Sequence, residues 1–118
     1  MALIDLGEAK QYLRVDSSDE EALISTLIPA AETLCMDIAR LDPPDWDVIC
    51  GSYTTEDDAP MIRGKVTTVA QLNAMRSILR IAVLFAIGYF YEHREEADHH
   101  GLAMTLRAIL FDIREGVF

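Results

Sequence analysis

At 118 residues, of which 51% are hydrophobic, the chain has the material for one packed domain and is too short for two. Its formal charge of −10, with no strongly basic segment, argues against gripping nucleic acid by phosphate neutralisation and against docking on an anionic membrane surface. The opening MALIDLGEAK lacks the basic and apolar regions of a signal peptide, and the longest apolar run, 81–91 with one glycine, falls short of the roughly 20 residues of a bilayer span, so a soluble, cytoplasmically made protein is expected.

Residues 5–13 read as a short helix. Asp5 can cap it, Glu8 stands three positions on, and Leu6, Ala9 and Leu13 form an apolar stripe. The run DSSDEE signals a second start, with Ser17 or Ser18 as N-cap and acids where the helix dipole favours them. The second helix, about 18–41, has the clearest amphipathic pattern in the chain: Leu23, Ile24, Leu27, Ile28, Ala31, Leu34, Cys35, Ile38 and Leu41 recur at helical spacing. Pro29 falls on its polar face, where a kink costs least packing. Cys35 and Cys50 have no motif spacing and read as free thiols.

LDPPDW reads as the end of that helix. Residues 43–68 are rich in Pro, Gly, Asp and Thr, and two β-prone runs, DVICGSYTT and MIRGKVTT, flank the turn-like EDDAP. A β-hairpin or an ordered loop between the second and third helices is the expectation. The third helix starts at Thr67 or Thr68, where Thr68 and Gln71 resemble a capping box, and runs to about Glu96. Leu72, Met75, Ile78 and Leu79 lie on one side of its first half, with Arg76 and Arg80 on the other. Its second half, IAVLFAIGYFY, is apolar on every face and must be buried on every face. Three other short elements cannot easily wrap it, so burial against further copies of the chain is expected, with Leu84, Phe85, Tyr89 and Phe90 partly at the interface; the alternative is a central helix covered within one monomer, with the hairpin as part of the cover. A fourth helix, about 102–114, carries Leu102, Leu106, Ile109, Leu110 and Ile113 on one face and stops at Gly116. The fold class is thus mainly α: a single small four-helix domain over 1–118, with a long apolar third helix and the 43–68 excursion.

YFYEHREEADHHG, residues 89–101, gathers four carboxylates (Glu92, Glu95, Glu96, Asp98) and all three histidines (His93, His99, His100). Glu92, Glu96 and His100 could share one helix face. There is no His-Glu-x-x-His motif, however, and the apolar cover ends at Ala97, so the expectation is no metal, no cofactor and no acid/base site, with the histidines exposed. Acids at a helix C-terminus oppose the dipole. They look instead for cations, and Arg14, Arg94, Arg107 and Arg114 are the candidates for a salt-bridged rim on an assembly surface. No phosphate loop, nucleophile elbow or Cys-x-x-Cys pair is present.

Three stretches together resemble one family. LGEAKQYLRVDSSDEEALISTLIPAAE (6–32), GYFYEHREE (88–96) and LFDIREGVF (110–118) are similar, in this order, to segments of the small head–tail connector, or DNA-packaging, proteins of tailed phages. That resemblance implies a non-enzymatic, mostly helical subunit of a homo-oligomeric ring. Such a ring docks beneath the portal at the virion head–tail junction, extends the DNA channel, touches packaged DNA without reading sequence and meets the next head-completion or tail protein. It implies Tyr91, Glu92, Arg94 and Glu95 as a structural or intersubunit cluster and Arg114 as a C-terminal packing or pairing residue. The 43–68 segment matches poorly; in the family this region can project toward the channel, which would make Arg63 and Lys65 channel-facing. The rival expectations are a cytosolic helical adaptor whose apolar helix meets another protein and a small metal-dependent enzyme using the 92–100 cluster.

Overall fold

A computed structural model describes residues 3–51, 61–93 and 99–116. Among these residues the chain is mainly α, with helices α1 (Leu6–Leu13), α2 (Glu21–Ile38), α3 (Pro43–Cys50), α4 (Val69–Glu92), α5 (His100–Ile109) and α6 (Phe111–Arg114). A two-stranded antiparallel hairpin, β1 (Met61–Ile62) and β2 (Lys65–Val66), stands between α3 and α4.

The caps predicted for α1 and α4 are both formed. Asp5 Oδ1 accepts from the Glu8 amide at 2.8 Å. Thr68 Oγ1 accepts from the Gln71 amide at 3.1 Å, and the Gln71 side chain accepts from the Thr68 amide at 3.2 Å. The N-cap of α2 is Glu20, two or three residues later than the serines suggest, and Pro29 does lie on the exposed side of that helix.

Two expectations for the excursion need correction. LDPPDW does not only end a helix; it begins one. Asp42 is the N-cap, Pro43 and Pro44 occupy the first turn, where their missing amides are no loss, and Asp45 Oδ2 accepts from the Asp42 amide at 3.0 Å. Residues 47–50 of the first β-prone run are therefore helical. The hairpin lies wholly within the second run, pairing Met61 with Val66 and Ile62 with Lys65. Its turn is Arg63–Gly64, both with positive φ (51° and 76°), as a two-residue turn that follows strand twist requires. Arginine adopts this region seldom. Here it is held from both ends: Asp45 Oδ1 accepts from the Arg63 amide at 2.9 Å, and the guanidinium donates to the carbonyls of Ile113 and Arg114. Residues 52–60, which include the EDDAP run, lie outside the described residues. The expected fourth helix is divided at Leu110 into α5 and α6.

The core is built around α4, which packs against α1, α2, α3 and α5. Leu72, Met75, Leu79, Ala82, Val83, Ala86 and Ile87 are its buried residues. They meet Ile24, Ile28, Ala31, Cys35 and Ile38 of α2, Ile49 of α3, Leu102 and Leu106 of α5, and Ile113 of α6 in one cluster. By length and composition α4 could cross a membrane. A core helix meets the same test, and α4 has seven buried residues and two arginines tied to neighbouring elements.

Arg76 and Arg80 act as braces. Arg76 donates to the carbonyls of Ile49 (2.8 Å) and Gly51, closing the C-terminal end of α3. Arg80 donates to the Leu3 carbonyl at 2.9 Å and pairs with Glu8. A helix end leaves its last carbonyls without intrahelical partners, and a guanidinium fork satisfies two of them at once. Arg76→Met is expected to lower unfolding stability by about 1–3 kcal/mol, since it removes charge-assisted bonds to part-buried carbonyls. Arg76→Lys should recover part of the loss. Equal denaturation midpoints for all three proteins would show that the brace contributes nothing.

Glu32 is a buried carboxylate in the middle of α2. It accepts from the Leu3 amide at 2.8 Å and from the Trp46 side chain. Burial nonetheless pushes its carboxyl up from the ordinary 4.5, the two hydrogen bonds offsetting only part of the effect. The folded state therefore holds this proton more tightly than the unfolded state, and stability falls as pH rises from 4.5 through the raised value. Glu32→Gln keeps an acceptor and removes the titration. The stability difference between wild type and this variant is expected to move against the wild type as pH is raised from 4.5 toward neutrality; a constant difference across that range would contradict it.

Candidate interaction surface

The C-terminal half of α4, expected to need other copies of the chain, is covered over most of its circumference by the chain itself. Ala82, Val83, Ala86 and Ile87 are buried, and Leu84, Tyr89, Phe90 and Tyr91 are half-buried against the core. What remains outside is a strip. Ile81 is 62% exposed and Phe85, one turn on, 37%. Tyr12 of α1, 48% exposed, lies alongside.

Tyr12 reaches α4 because residue 88 is glycine. A Cβ there would sit 3.0 Å from Tyr12 Cε1, so the ring rests directly on the helix backbone. Beside it runs a groove of about 470 Å³ lined by residues that include Tyr12, Arg14, Phe85, Tyr89 and Glu92. Its chemistry is amphipathic: aromatic walls, with Arg14 and the exposed Glu92 at the rim. The two charges line the same groove, yet no ion pair joins them.

The histidines belong to this end of the molecule, in a role that spacing did not suggest. The His93 ring stacks on Tyr89 with centroids 4.2 Å apart and planes 17° from parallel. The His99 ring meets Tyr89 and Phe90 edge-on at 5.7 and 5.2 Å. These are packing geometries for aromatic rings. His93 and His99 are thus half-buried, contrary to the expectation of exposure, and only His100 is exposed. The His93 Nδ1 lies 3.0 Å from the Tyr89 carbonyl, and His99 Nδ1 is buried without a hydrogen-bond partner. Among the described residues no three His, Cys, Asp or Glu side chains are grouped as metal ligands would be.

Of the other residues singled out from the sequence, Tyr91 hydrogen-bonds through its hydroxyl to Glu20, tying the end of α4 to the start of α2. Arg94 and Glu95, like Glu96 and Asp98, lie outside the described residues. Arg114 is at the far end of the molecule, donating to the Ile38 carbonyl at 3.1 Å. Burial and the nearby charges of Arg40 and Arg107 lower its pKa, with Glu115 opposing. Arg63 is folded back onto α6, while Lys65 is exposed. Sequence reasoning missed Tyr12 and Ile81. Tyr12 lies off the Leu6–Ala9–Leu13 stripe, and Ile81 is one helical turn before Phe85; that pairing was the available signal.

Cys35 is fully buried, and burial, with the nearby Glu32 carboxylate, pushes its thiol up to about 12, so it is inert as a nucleophile. The chain matches no protein-family model, no curated protein and no solved structure.

Gly88→Ala probes the groove directly. The new methyl displaces the Tyr12 ring, which is free to move because it is half exposed. Overall stability is expected to change by less than about 1 kcal/mol, since alanine also favours the helix. The near-ultraviolet dichroism of the tyrosines should change clearly. An unchanged tyrosine signal would mean that Tyr12 does not rest on residue 88.

Proposed function

We propose that this protein is a ring-forming structural subunit of a phage or prophage head–tail connector, which docks beneath a portal, extends the DNA channel and joins head to tail. The observation that carries the reading is the exposed apolar strip of Ile81, Phe85 and Tyr12 on an otherwise strongly acidic chain. Scattered exposed apolar residues are ordinary on a monomer; Ile81 and Phe85 one turn apart on α4, continued by the groove that Phe85 and Tyr12 of α1 line together, form a candidate contact surface. Covering Ile81 and Phe85 on association would contribute about 1–2 kcal/mol each.

The resemblance of 6–32, 88–96 and 110–118 to connector proteins supplies the kind of partner: further copies of this chain in a ring, with the portal above and the next head-completion or tail protein below. The charge suits that role. A channel wall along which DNA slides should hold phosphates weakly, and a net charge of −10 does so. The half-buried Leu84, Tyr89 and Phe90 then shape the contact from beneath.

Sedimentation at rising concentration, with and without a portal ring, followed by electron imaging, tests this. Wild-type protein is expected to assemble into closed rings. Ile81→Glu and Phe85→Glu should remain monomeric with unchanged helical content, because each places an unpaired charge in the contact while altering an exposed position in the monomer. A wild type that stays monomeric under both conditions refutes the reading. Association into dimers that never close into rings leaves the strip as a contact surface but removes the connector.

A further inference from the structure

A second cleft, also of about 470 Å³, lies at the other end of α4, where the end of α2, the hairpin, the start of α4 and α6 meet. Its lining reverses the sign of the molecule. Arg40, Arg63, Lys65 and Arg114, four of the chain's 10 lysines and arginines, converge there with one carboxylate, Glu115. Chance would scatter these cations over an acidic surface; here three separate segments bring them to one concavity.

The four do not have the same work. Arg63 and Arg114 hold the fold, through the carbonyls of Ile113, Arg114 and Ile38. Arg40 and Lys65 are exposed, and their side chains make no hydrogen bond or ion pair among the described residues. Arg40 is set at the cleft by a left-handed turn (φ 59°) that ends α2. Arg114 Nε is buried without a hydrogen-bond partner, and the Glu115 carboxylate is 3.8 Å away, too far to provide one. Like charges gathered in this way repel unless an anion joins them. Apolar side chains complete the wall: Ile62, Met75 and the 70% exposed Val66.

We propose that this cleft binds a phosphate group, held by Arg40 and Lys65, with Arg63 and Arg114 in its wall adding positive charge. Phosphate answers the lining better than a carboxylate does. It offers more acceptor oxygens and up to two negative charges to a set with a surplus of three positive ones, and guanidinium geometry matches it. The apolar wall suits an organic group attached to it. The phosphate could come from a small monoester or from a nucleic-acid backbone, and the inference does not rest on the connector reading.

Calorimetric titration of the full chain with inorganic phosphate, adenosine monophosphate and a short single-stranded oligonucleotide, at constant ionic strength, tests it. The wild type is expected to bind at least one probe. Arg40→Gln with Lys65→Gln should weaken that binding by about tenfold or more while leaving the melting temperature unchanged, because neither side chain holds the fold. Arg14→Gln, in the aromatic groove, should leave it intact. Monophosphate binding tighter than oligonucleotide binding identifies a small ligand; affinity that grows with oligonucleotide length and falls with salt identifies the backbone. Absence of binding to all three probes overturns the proposal. So does binding that the double variant leaves unchanged, or that Arg14→Gln weakens equally, since the effect would then be diffuse charge and not this cleft.

Discussion

Burial of α4 is the constraint from which the other elements take their places. A 24-residue helix with so many apolar side chains needs cover along most of its length, and no single neighbour is long enough to give it. The 18-residue α2 lies along it as the main partner. The short helices then divide the remaining circumference: α3 beside the first half, α1 and α5 beside the second. Small residues let them close in. Ala82 and Ala86 are fully buried, and Gly88 admits an aromatic ring to the backbone. The exposed strip is what this division leaves uncovered.

A second theme is the supply of positive charge to helix ends. In α2 and α3 the last turn carries no basic residue, although exposed carbonyls there attract one. The cation arrives from elsewhere in the chain: Arg114 at the end of α2, Arg76 at the end of α3, and Arg63 at the end of α6. An acidic protein with few cations thus uses several of them to cap helices in tertiary space, a function local sequence cannot disclose.

That difference marks what the sequence discloses and what it hides. Asp5 with Glu8, and Thr68 with Gln71, are contacts within one turn, and both are legible as letters three apart. The α2 stripe is legible because Ile24, Ile28, Ala31, Cys35 and Ile38 repeat with the helix period. Helix α3 is hidden in the sequence because Asp-Pro-Pro stops one helix and starts the next with the same residues. The two β-prone runs suggest a hairpin between them because its real turn carries arginine where asparagine or glycine would signal it; Asp45, 18 residues earlier, makes arginine acceptable there. For the candidate surface, apolar character was visible at Phe85 and Tyr89, but how much of α4 its own neighbours cover is a question of three-dimensional packing. Tyr12 and Arg40 come to their sites through other elements, and periodicity carries no word of either.

The corner that joins Ile38, Asp45, Arg63 and Arg114 also bears on how the chain is made. Its bonds span 76 residues from Ile38 to Arg114, 50 from Arg63 to Ile113 and 18 from Asp45 to Arg63. Residues 113 and 114 leave the ribosome after every other described element. Until they do, the end of α2 lacks its arginine and the Arg63 guanidinium lacks its carbonyls. Helices α1, α2 and α4 all precede α6 in the chain, and the corner closes only when α6 arrives. The late turn therefore serves as a latch, and a ribosome that stalls before it leaves a chain whose basic residues at this corner are still unfastened.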